Sequence, residues 1–528
     1  MPSSQDSSES KPSWHVEEAA MPKWLSRVCL ALLLSCFLIL VSLLPLGTAI
    51  QIGGDEGYEL AKATLCLRGF KLYTEIWNDQ PPLHTLLNKQ LLKLTAGGGI
   101  PAAGEAAEIP VQSQHYERIL WPRLFTVAFG ALLIAALFLT IEKLSAVWTA
   151  TLACAILIAS PGVLGLAASC MLELPALSLA VGALCLLAVR RSHCSHALTA
   201  LAGVVFGLSL LTKLISLTLF PAVVAAACVV SPPPHASRQL KLLETGKRVF
   251  YFAVYAFLSF LAADLILEKG AYLTHFHQSW TSHFAPSVSS EYGSAAEHPF
   301  PWTVLLKHWD ATLPATLGLG FLVFNRKFRT SNALLPFLWL GASLVIFGFH
   351  KPWWSYYYIH IAVPLAWCAA TSIVLLQKAV KRDRIVVGCV FAYAAASLFW
   401  TGSRLYLQIA NARNSPQTFS SPVLTEMARY RPFTELLYTD DPIYSFHADI
   451  PLPPNLAVIM LKRLWSGEMT NDKIAAEVAT LKPGLILLGN DSRSNPLKNL
   501  LESQYNLVYV DDAHRLYAHK SIASKPSF

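Results

Sequence analysis

The stretch Gly53–Leu83, GGDEGYELAKATLCLRGFKLYTEIWNDQPPL, directly follows the first long apolar segment of the chain. It opens with two glycines and the adjacent acids Asp55 and Glu56, and it ends with Asp79-Gln80-Pro81-Pro82. Glycines allow a sharp turn, and paired prolines fix an extended path that no helix continues through. Between them, the apolar spacing predicts a short amphipathic helix over Tyr58–Leu67. We interpret the stretch as a loop on the membrane surface that holds carboxylates at a fixed depth; a solvated loop with inert acids is the alternative.

The composition indicates that much of the chain lies in lipid. Of 528 residues, 54% are hydrophobic and 14% are charged, whereas soluble domains carry roughly 25% charged residues. The net charge of +8 is compatible with nucleic-acid binding, but the basic residues cluster in short loops between apolar runs. That distribution is a membrane-topology signal and argues against a nucleic-acid partner.

Repeated apolar runs predict an α-helical polytopic membrane protein with about 11 transmembrane helices. The predicted spans are 28–49, 120–141, 147–167, 171–189, 197–212, 214–231, 249–267, 311–325, 332–349, 356–377 and 385–400. With the N-terminus in the cytoplasm, the cytoplasmic segments hold most of the Lys and Arg, and the short outer turns hold only Lys213 and Lys351. This asymmetry predicts a multi-pass protein of the cell inner (plasma) membrane, whose Asp55 loop is extracytoplasmic.

Three regions follow from this pattern. Residues 1–26 form a polar, disordered cytoplasmic N-terminus, and residues 27–400 form the membrane module, with outer loops at 51–119 and 269–310. Residues 413–528 lack a membrane-length apolar run and predict a small extracytoplasmic α/β domain. Its predicted strands are 436–439, 485–488, 507–510 and 515–518, and its predicted helices are 456–464 and 471–481.

Isolated charges lie at the outer ends of the predicted spans. They are Arg123, Glu173, Lys213 and Lys351. Insertion of a charge at the centre of a membrane helix costs roughly 2.5–3.5 kcal/mol, so charges inside or beside membrane helices are rarely without a role. With Asp55, Glu56 and Asp79 they predict one charged layer on one side of the membrane. Side chains that only snorkel to the interface are the alternative.

The motif order in Gly53–Leu83 resembles a known family. An Asp-Glu pair after the first membrane helix, a Gly-x-x-Leu-Tyr turn and an acid-x-Pro-Pro-Leu sequence are similar to GT-C fold lipid-dependent glycosyltransferases of family 39. That family contains the protein O-mannosyltransferases and the aminoarabinose transferases of lipid A. The resemblance implies a GT-C fold for the membrane module.

The resemblance also implies site residues. Asp55 matches the candidate catalytic base, and Glu56 and Glu173 complete the candidate catalytic acids. The candidate substrate-binding residues are Asp79, Gln80, Arg123, Lys213, Lys351, Tyr357 and Tyr358, and His283 of the second outer loop is added as a candidate from the sequence pattern and not from the resemblance. One position departs from the pattern: the aminoarabinose transferases have a Lys before Pro-Pro, where this chain has Gln80. Since that Lys is expected to hold the lipid phosphate, Lys213 or Lys351 would have to replace it.

These residue types suit transfer of a sugar, hexose or pentose, from a polyprenyl-phosphate donor to an extracytoplasmic lipid, protein or polysaccharide. A carboxylate takes the acceptor proton, cations stabilise the departing phosphate, and attack from the opposite face inverts the anomeric carbon. No phosphate-binding Gly-x-x-x-x-Gly-Lys motif is present, which favours a lipid donor over a nucleotide sugar.

Four histidines of the second outer loop raise the question of a metal: His275, His277, His283 and His298. Their spacing matches no metal-site pattern, so we expect an acceptor or interface role, no metal ligands and no certain cofactor, with a divalent metal left open. A membrane transporter or lipid flippase is the alternative function, although its site would lie near the bilayer midplane. A non-enzymatic assembly protein is the third reading.

Overall fold

The computed structural model describes residues 22–95, 114–189, 196–229, 238–268, 270–281, 292–379, 384–414, 421–490 and 497–525. The α-helices up to residue 414 are α1 (Lys23–Ser42), α2 (Glu56–Leu67), α3 (Leu83–Thr95), α4 (Gln114–Leu144), α5 (Val147–Ile158), α6 (Val163–Ala167), α7 (Glu173–Val189), α8 (His196–Thr212), α9 (Phe220–Val229), α10 (Arg238–Glu268), α11 (Tyr272–Phe276), α12 (Thr303–Lys307), α13 (Trp309–Phe324), α14 (Ser331–Phe349), α15 (Ile359–Ala379) and α16 (Arg384–Arg413). Short 3₁₀ turns at Leu214–Leu219 and Ser355–Tyr358 precede α9 and α15.

Ten apolar helical segments of the described residues form the membrane bundle. Five are long and apolar enough to cross a membrane: Lys23–Ser42, Arg118–Leu144, Leu242–Leu267, Ser331–Phe349 and Ser355–Gln377. Five are shorter: Val147–Ile158, Glu173–Ala188, His196–Thr212, Leu214–Ala226 and Trp309–Phe324. The last predicted span, 385–400, lies within α16 and is not among these ten. The multi-pass helical architecture is therefore confirmed, while the number of eleven crossings stays a prediction.

Two predicted spans are interrupted by turn residues. The predicted span 28–49 corresponds to α1, which already ends at Ser42, three residues before Pro45. The predicted span 147–167 is divided into α5 and α6, because Pro161 and Gly162 lie between them and Gly162 has a φ of 79°. A proline in a helix interior removes a hydrogen bond, and a positive φ favours glycine.

The C-terminal segment folds as a small α/β unit. Its helices are α17 (Pro422–Tyr430), α18 (Ile443–Ala448), α19 (Leu461–Trp465), α20 (Asn471–Leu481) and α21 (Lys498–Gln504), and its strands are β1 (Leu437–Thr439), β2 (Leu485–Gly489), β3 (Tyr505–Val510) and β4 (His514–His519). The sheet order is β1-β2-β4-β3, with β1 and β2 parallel and the other pairs antiparallel. The predicted helix 456–464 is wrong in extent, because a 3₁₀ turn at Pro454–Leu456 precedes the short α19.

Helix α2 joins the two parts of the molecule through a shared core. Leu60 and Trp77 pack in one cluster with Leu437 and Ile443 of the C-terminal domain. A Cβ at Gly57 would lie 2.7 Å from the Ile443 nitrogen, so this crossing needs glycine. The predicted helix is confirmed and is buried on nearly all sides, while its position on the membrane surface stays a prediction.

Candidate active site

The first turn of α2 places Asp55 at the junction of the membrane bundle and the C-terminal domain. Gly53 allows this approach, since a Cβ there would lie 2.5 Å from the Met171 sulfur. The Gln51 amide donates to the carbonyl oxygens of Gly53 and Gly54, both at 2.9 Å, and fixes the turn. Asp55 is the N-cap residue of α2, yet its side chain makes no capping hydrogen bond. Its carboxylate instead accepts a hydrogen bond from the Tyr356 hydroxyl.

The Asp55 carboxyl has a pKa raised above its ordinary value. Burial, followed by the negative charge of Glu173, raises the pKa of the Asp55 carboxyl to about 6. The Lys213 ammonium and a hydrogen bond from the Tyr356 hydroxyl act in the opposite direction. A carboxylate with a pKa of this size is mostly ionised at pH 7 and still basic enough to accept a proton.

Glu173 and Lys213 form a buried ion pair beside Asp55. Glu173 begins α7 and Lys213 directly follows α8, so two antiparallel helices bring both residues to the same end of the bundle. Lys213 Nζ donates to Glu173 Oε1 and lies 5.0 Å and 5.3 Å from the ring centroids of Tyr356 and Tyr357. Within the described part of the chain, Glu173 Oε2 accepts no hydrogen bond. The cluster thus contains a cation, two carboxylates and two phenol rings.

Glu56 and Arg123 form a second ion pair, and it is fully buried. Arg123 Nε donates to Glu56 Oε1 at 2.8 Å, and Nη2 donates to Oε2 at 2.9 Å. The Glu56 carboxylate also accepts hydrogen bonds from the backbone N–H groups of Ile52 and Cys170, each at 2.9 Å. Burial raises the pKa of Glu56, but the Arg123 charge and these hydrogen bonds outweigh it, so the pKa of Glu56 is lowered.

Arg123 also holds the backbone that precedes Asp55. Its guanidinium donates to three carbonyl oxygens, those of Leu46, Ala49 and Ile50, at 2.6, 2.9 and 3.3 Å. Both side chains are 0% exposed, and the contacts given for them are with each other and with the backbone. The structure brings these two predicted site residues together as the anchor of the Asp55 loop.

Asp79 meets the C-terminal domain rather than the Glu173–Lys213 pair. Its Oδ2 lies 3.3 Å from Nζ of Lys462, the second residue of α19. The Gln80 carbonyl accepts hydrogen bonds from the Tyr73 hydroxyl at 2.8 Å and from the Asn78 amide at 2.6 Å. Lys462 of the C-terminal domain therefore pairs with Asp79, the residue directly before Gln80. Position 80 is where the family resemblance predicts a lysine.

His350 is within electrostatic range of both Lys213 and Lys462. Burial, followed by the charges of Lys462 and Lys213, lowers the pKa of His350 to about 4. Its imidazole is therefore neutral at pH 7. The influence of both ammonium groups on one ring indicates that they border the same region.

The remaining predicted residues lie in different surroundings. Tyr358 packs on His308, with ring centroids 4.5 Å apart, so only Tyr357 of the predicted tyrosine pair joins the cluster. Lys351 is exposed in the turn after α14. His283 lies outside the described residues.

The described histidines of the second outer loop have local partners. His275 lies 3.2 Å from Asp264 and stacks on Tyr73, while His298 packs against Trp354 and Trp465. Among the described residues, no group of three or more His, Cys, Asp and Glu side chains is arranged to hold a metal ion.

Sequence reasoning missed Tyr356, His350 and Lys462. Tyr356 belongs to the same tyrosine run as the predicted Tyr357, and helical phase alone did not distinguish its members. No local signal identifies His350 or Lys462, because both join the site only through tertiary contacts with distant segments.

A cavity of about 950 Å³ runs along the Asp55 loop. On one side it is lined by Gly54, Gly57 and Tyr58. On the other side lie acids that follow β1 and connect β3 to β4, namely Asp440, Asp441, Asp511 and Asp512. No Lys or Arg is among its described lining residues. Burial, together with the neighbouring charge of Asp440, raises the pKa of Asp441 to about 6.

This architecture is that of a GT-C fold membrane protein, and comparison with known proteins supports that class. The model of the family described as dolichyl-phosphate-mannose-protein mannosyltransferase matches residues 79–279. This range includes Arg123, Glu173 and Lys213 but begins after Asp55. The resemblance inferred from the motifs is therefore confirmed, independently of the segment that contains the proposed base.

Two solved structures share the fold at low sequence identity. The chain is similar to ArnT from Cupriavidus metallidurans bound to undecaprenyl phosphate, with a TM-score of 0.62 and 14% identity over 96% of this chain and 100% of that chain. It is also similar to the Archaeoglobus fulgidus oligosaccharyltransferase tethered with an acceptor peptide, with a TM-score of 0.52 and 13% identity over 94% of this chain and 74% of that chain. No curated protein matches the chain in sequence. The predicted GT-C fold is confirmed.

Proposed function

We propose that this protein is an integral membrane glycosyltransferase that moves a sugar from a polyprenyl-phosphate donor to a hydroxyl of an extracytoplasmic acceptor, with inversion. One observation carries the proposal: Asp55, a partly buried carboxylate with a pKa of about 6, interacts electrostatically with both members of the Glu173–Lys213 ion pair. The fold shared with an undecaprenyl-phosphate-bound protein supports the donor class. The sugar, hexose or pentose, is left to the assay below.

Asp55 acts as the general base in this proposal. Its carboxylate takes the proton of the acceptor hydroxyl as the oxygen attacks the anomeric carbon. The bond from that carbon to the phosphate oxygen breaks, and the electron pair leaves with the polyprenyl phosphate. Because attack and departure occur on opposite faces, the anomeric configuration inverts. Tyr356, hydrogen-bonded to Asp55, holds the carboxylate in position.

Lys213 and Lys462 provide positive charge for the departing phosphate. Each already has a carboxylate partner, Glu173 and Asp79 respectively, so the ammonium groups are held in place before the donor arrives. Preorganised cations stabilise developing charge without reorganisation. In this chain Lys462, beside Asp79, fills the role of the lysine that Gln80 replaces, and Lys213 is the second cation that acts on His350. Lys351, which is exposed, is not needed for this role.

The acceptor approaches through the 950 Å³ cavity beside the Asp55 loop. Its described lining carries four Asp residues and no Lys or Arg, which disfavours phosphorylated acceptors and favours neutral or amine-bearing ones. Replacing Asp440 and Asp512 by Asn should raise KM for a cationic acceptor with little change for a neutral one. Equal KM changes for both acceptors would contradict this route.

The proposal also places the site and the domain formed by residues 413–528 on the extracytoplasmic face of the plasma membrane. The predicted charge asymmetry supports this side. The shared core between α2 and the C-terminal domain supports a common location for both, since it leaves no membrane between them.

The test is a transfer assay with the purified full chain in proteoliposomes and a panel of polyprenyl-phosphate hexoses and pentoses. The proposal predicts release of free polyprenyl phosphate, and an inverted glycosidic bond in the product, with at least one donor. Movement of the lipid across the bilayer without sugar transfer would favour a flippase and would overturn the proposal.

A further inference from the structure

A second cavity, of about 820 Å³, lies at the opposite end of α2 from Asp55. Its walls come from the turn after α2, the side of α3 and the segment that follows the candidate span Leu242–Leu267. The end of a membrane-crossing helix marks the interface between the hydrocarbon and the headgroups. The cavity is therefore positioned at headgroup level.

The lining of this cavity combines apolar surface with positive charge. Phe70, Leu87 and Ile266 line it and are 36%, 37% and 72% exposed, respectively. Lys71 and Lys89 also line it, and no Asp or Glu is among its described lining residues. Within the described part of the chain, neither lysine side chain has an ion-pair partner. Exposed apolar residues and a pair of lysines in one cavity are complementary to the acyl chains and the anionic headgroup of one lipid.

We propose that this cavity binds an anionic membrane phospholipid, with its phosphate between Lys71 and Lys89 and its acyl chains against Phe70, Leu87 and Ile266. Nothing in the proposed transfer reaction requires this site. The proposal therefore stands or falls separately from the assignment of the active site.

The phosphate of the glycosyl donor is not the group held between Lys71 and Lys89, because of distance. Cys66 lines the cavity and lies eleven residues after Asp55, almost all of them helical. At 1.5 Å per residue the separation along α2 is about 16 Å. The phosphate of a glycosyl donor is bonded to the carbon that reacts, so a phosphate held this far from the base could not present that carbon to it.

The cavity is nevertheless connected to the Asp79 loop. Tyr73 and Pro82 line it, and the Tyr73 hydroxyl donates to the Gln80 carbonyl at 2.8 Å. A bound lipid would therefore pack against the residues on both sides of Asp79 and Gln80. The loop that contains Asp79 would then contact Lys462 on one side and the bound lipid on the other.

The test measures lipid selectivity of the full chain in phosphatidylcholine vesicles by electron paramagnetic resonance of spin-labelled phosphatidylglycerol and phosphatidylcholine. With ~1 kcal/mol per lysine near an anionic lipid, we expect a preference for phosphatidylglycerol of about 30-fold at this site. Either single variant, Lys71→Gln or Lys89→Gln, should reduce it to about 5-fold. The double variant should abolish the preference, and a Lys71→Arg/Lys89→Arg variant should retain it.

Lys93→Gln is the matched control, because Lys93 is an exposed lysine one turn further along α3 and does not line the cavity. It should keep the parental preference. An unchanged preference in the Lys71→Gln/Lys89→Gln variant would overturn the proposal. Displacement of phosphatidylglycerol from this site by an equal amount of polyprenyl phosphate would also overturn it, since the cavity would then belong to the donor. Neither readout depends on sugar transfer.

Discussion

Replacing Asp55 by Asn tests the proposed base while keeping the shape of the side chain. With a pKa of about 6, about 90% of the Asp55 carboxyls are ionised at pH 7. The parent is therefore close to its full base strength. The amide cannot accept the acceptor proton, so we expect kcat to fall by roughly 10²–10⁴-fold, the range typical of a lost general base. The variant removes a buried charge and leaves no ion-pair partner behind, so it should fold like the parent.

The assay compares kcat, KM for the donor and the unfolding temperature of the reconstituted variant and parent. Asp472→Asn is the control, since it makes the same change at an exposed position of α20 and should leave kcat unchanged. The parental kcat/KM should rise as the pH increases through about 6 and level off above it, because the base must be unprotonated. Near-parental kcat in the Asp55→Asn variant would refute the assignment and shift it to Glu173.

Three further variants test the rest of the site. Glu173→Gln removes a negative charge that raises the pKa of Asp55, so the acidic limb of kcat/KM should move below pH 6. Lys213→Met removes a charge-assisted contact worth roughly 1.5–3 kcal/mol, so donor kcat/KM should fall roughly 10- to 150-fold. Arg123→Met leaves Glu56 buried without its partner and should lower the free energy of unfolding by about 3–5 kcal/mol.

Matched double variants separate chemistry from stability. The Lys213→Met variant leaves Glu173 buried without its ion-pair partner and should lose stability. The Lys213→Met/Glu173→Gln variant should regain that stability but not the turnover. Recovery of turnover in the double variant would show that Lys213 only neutralises Glu173. Arg123→Met/Glu56→Gln should regain most of the lost stability. If it stays as unstable as the single variant, the pair is not the main function of Arg123. An acidic limb that moves upward in Glu173→Gln would contradict the electrostatic account of Asp55.

The sequence by itself determined the membrane architecture and the principal acids of the site. Apolar runs must form helices in lipid, because every backbone polar group needs an internal partner there, and each predicted span therefore contains an α-helix or part of one, although 147–167 is divided into two helices. Asp55, Glu173 and Lys213 were identifiable because charges at the ends of apolar segments are rare and the Asp-Glu motif is specific. The α20 helix was predicted with its bounds, since Thr470 provides a capping oxygen to the Lys473 N–H.

Tertiary structure decided which charges meet. Glu56 is adjacent to Asp55 in sequence, yet one residue pairs with Arg123 inside the protein and the other faces the site, because α2 turns their side chains in different directions. Lys462 lies 383 residues from Asp79, so no local pattern could place it beside Gln80. The packing of α18 on α2 brings the C-terminal domain over the Asp55 loop. Ion pairs and pKa shifts depend on distance and burial, and both are set by packing between segments that the sequence alone does not bring together.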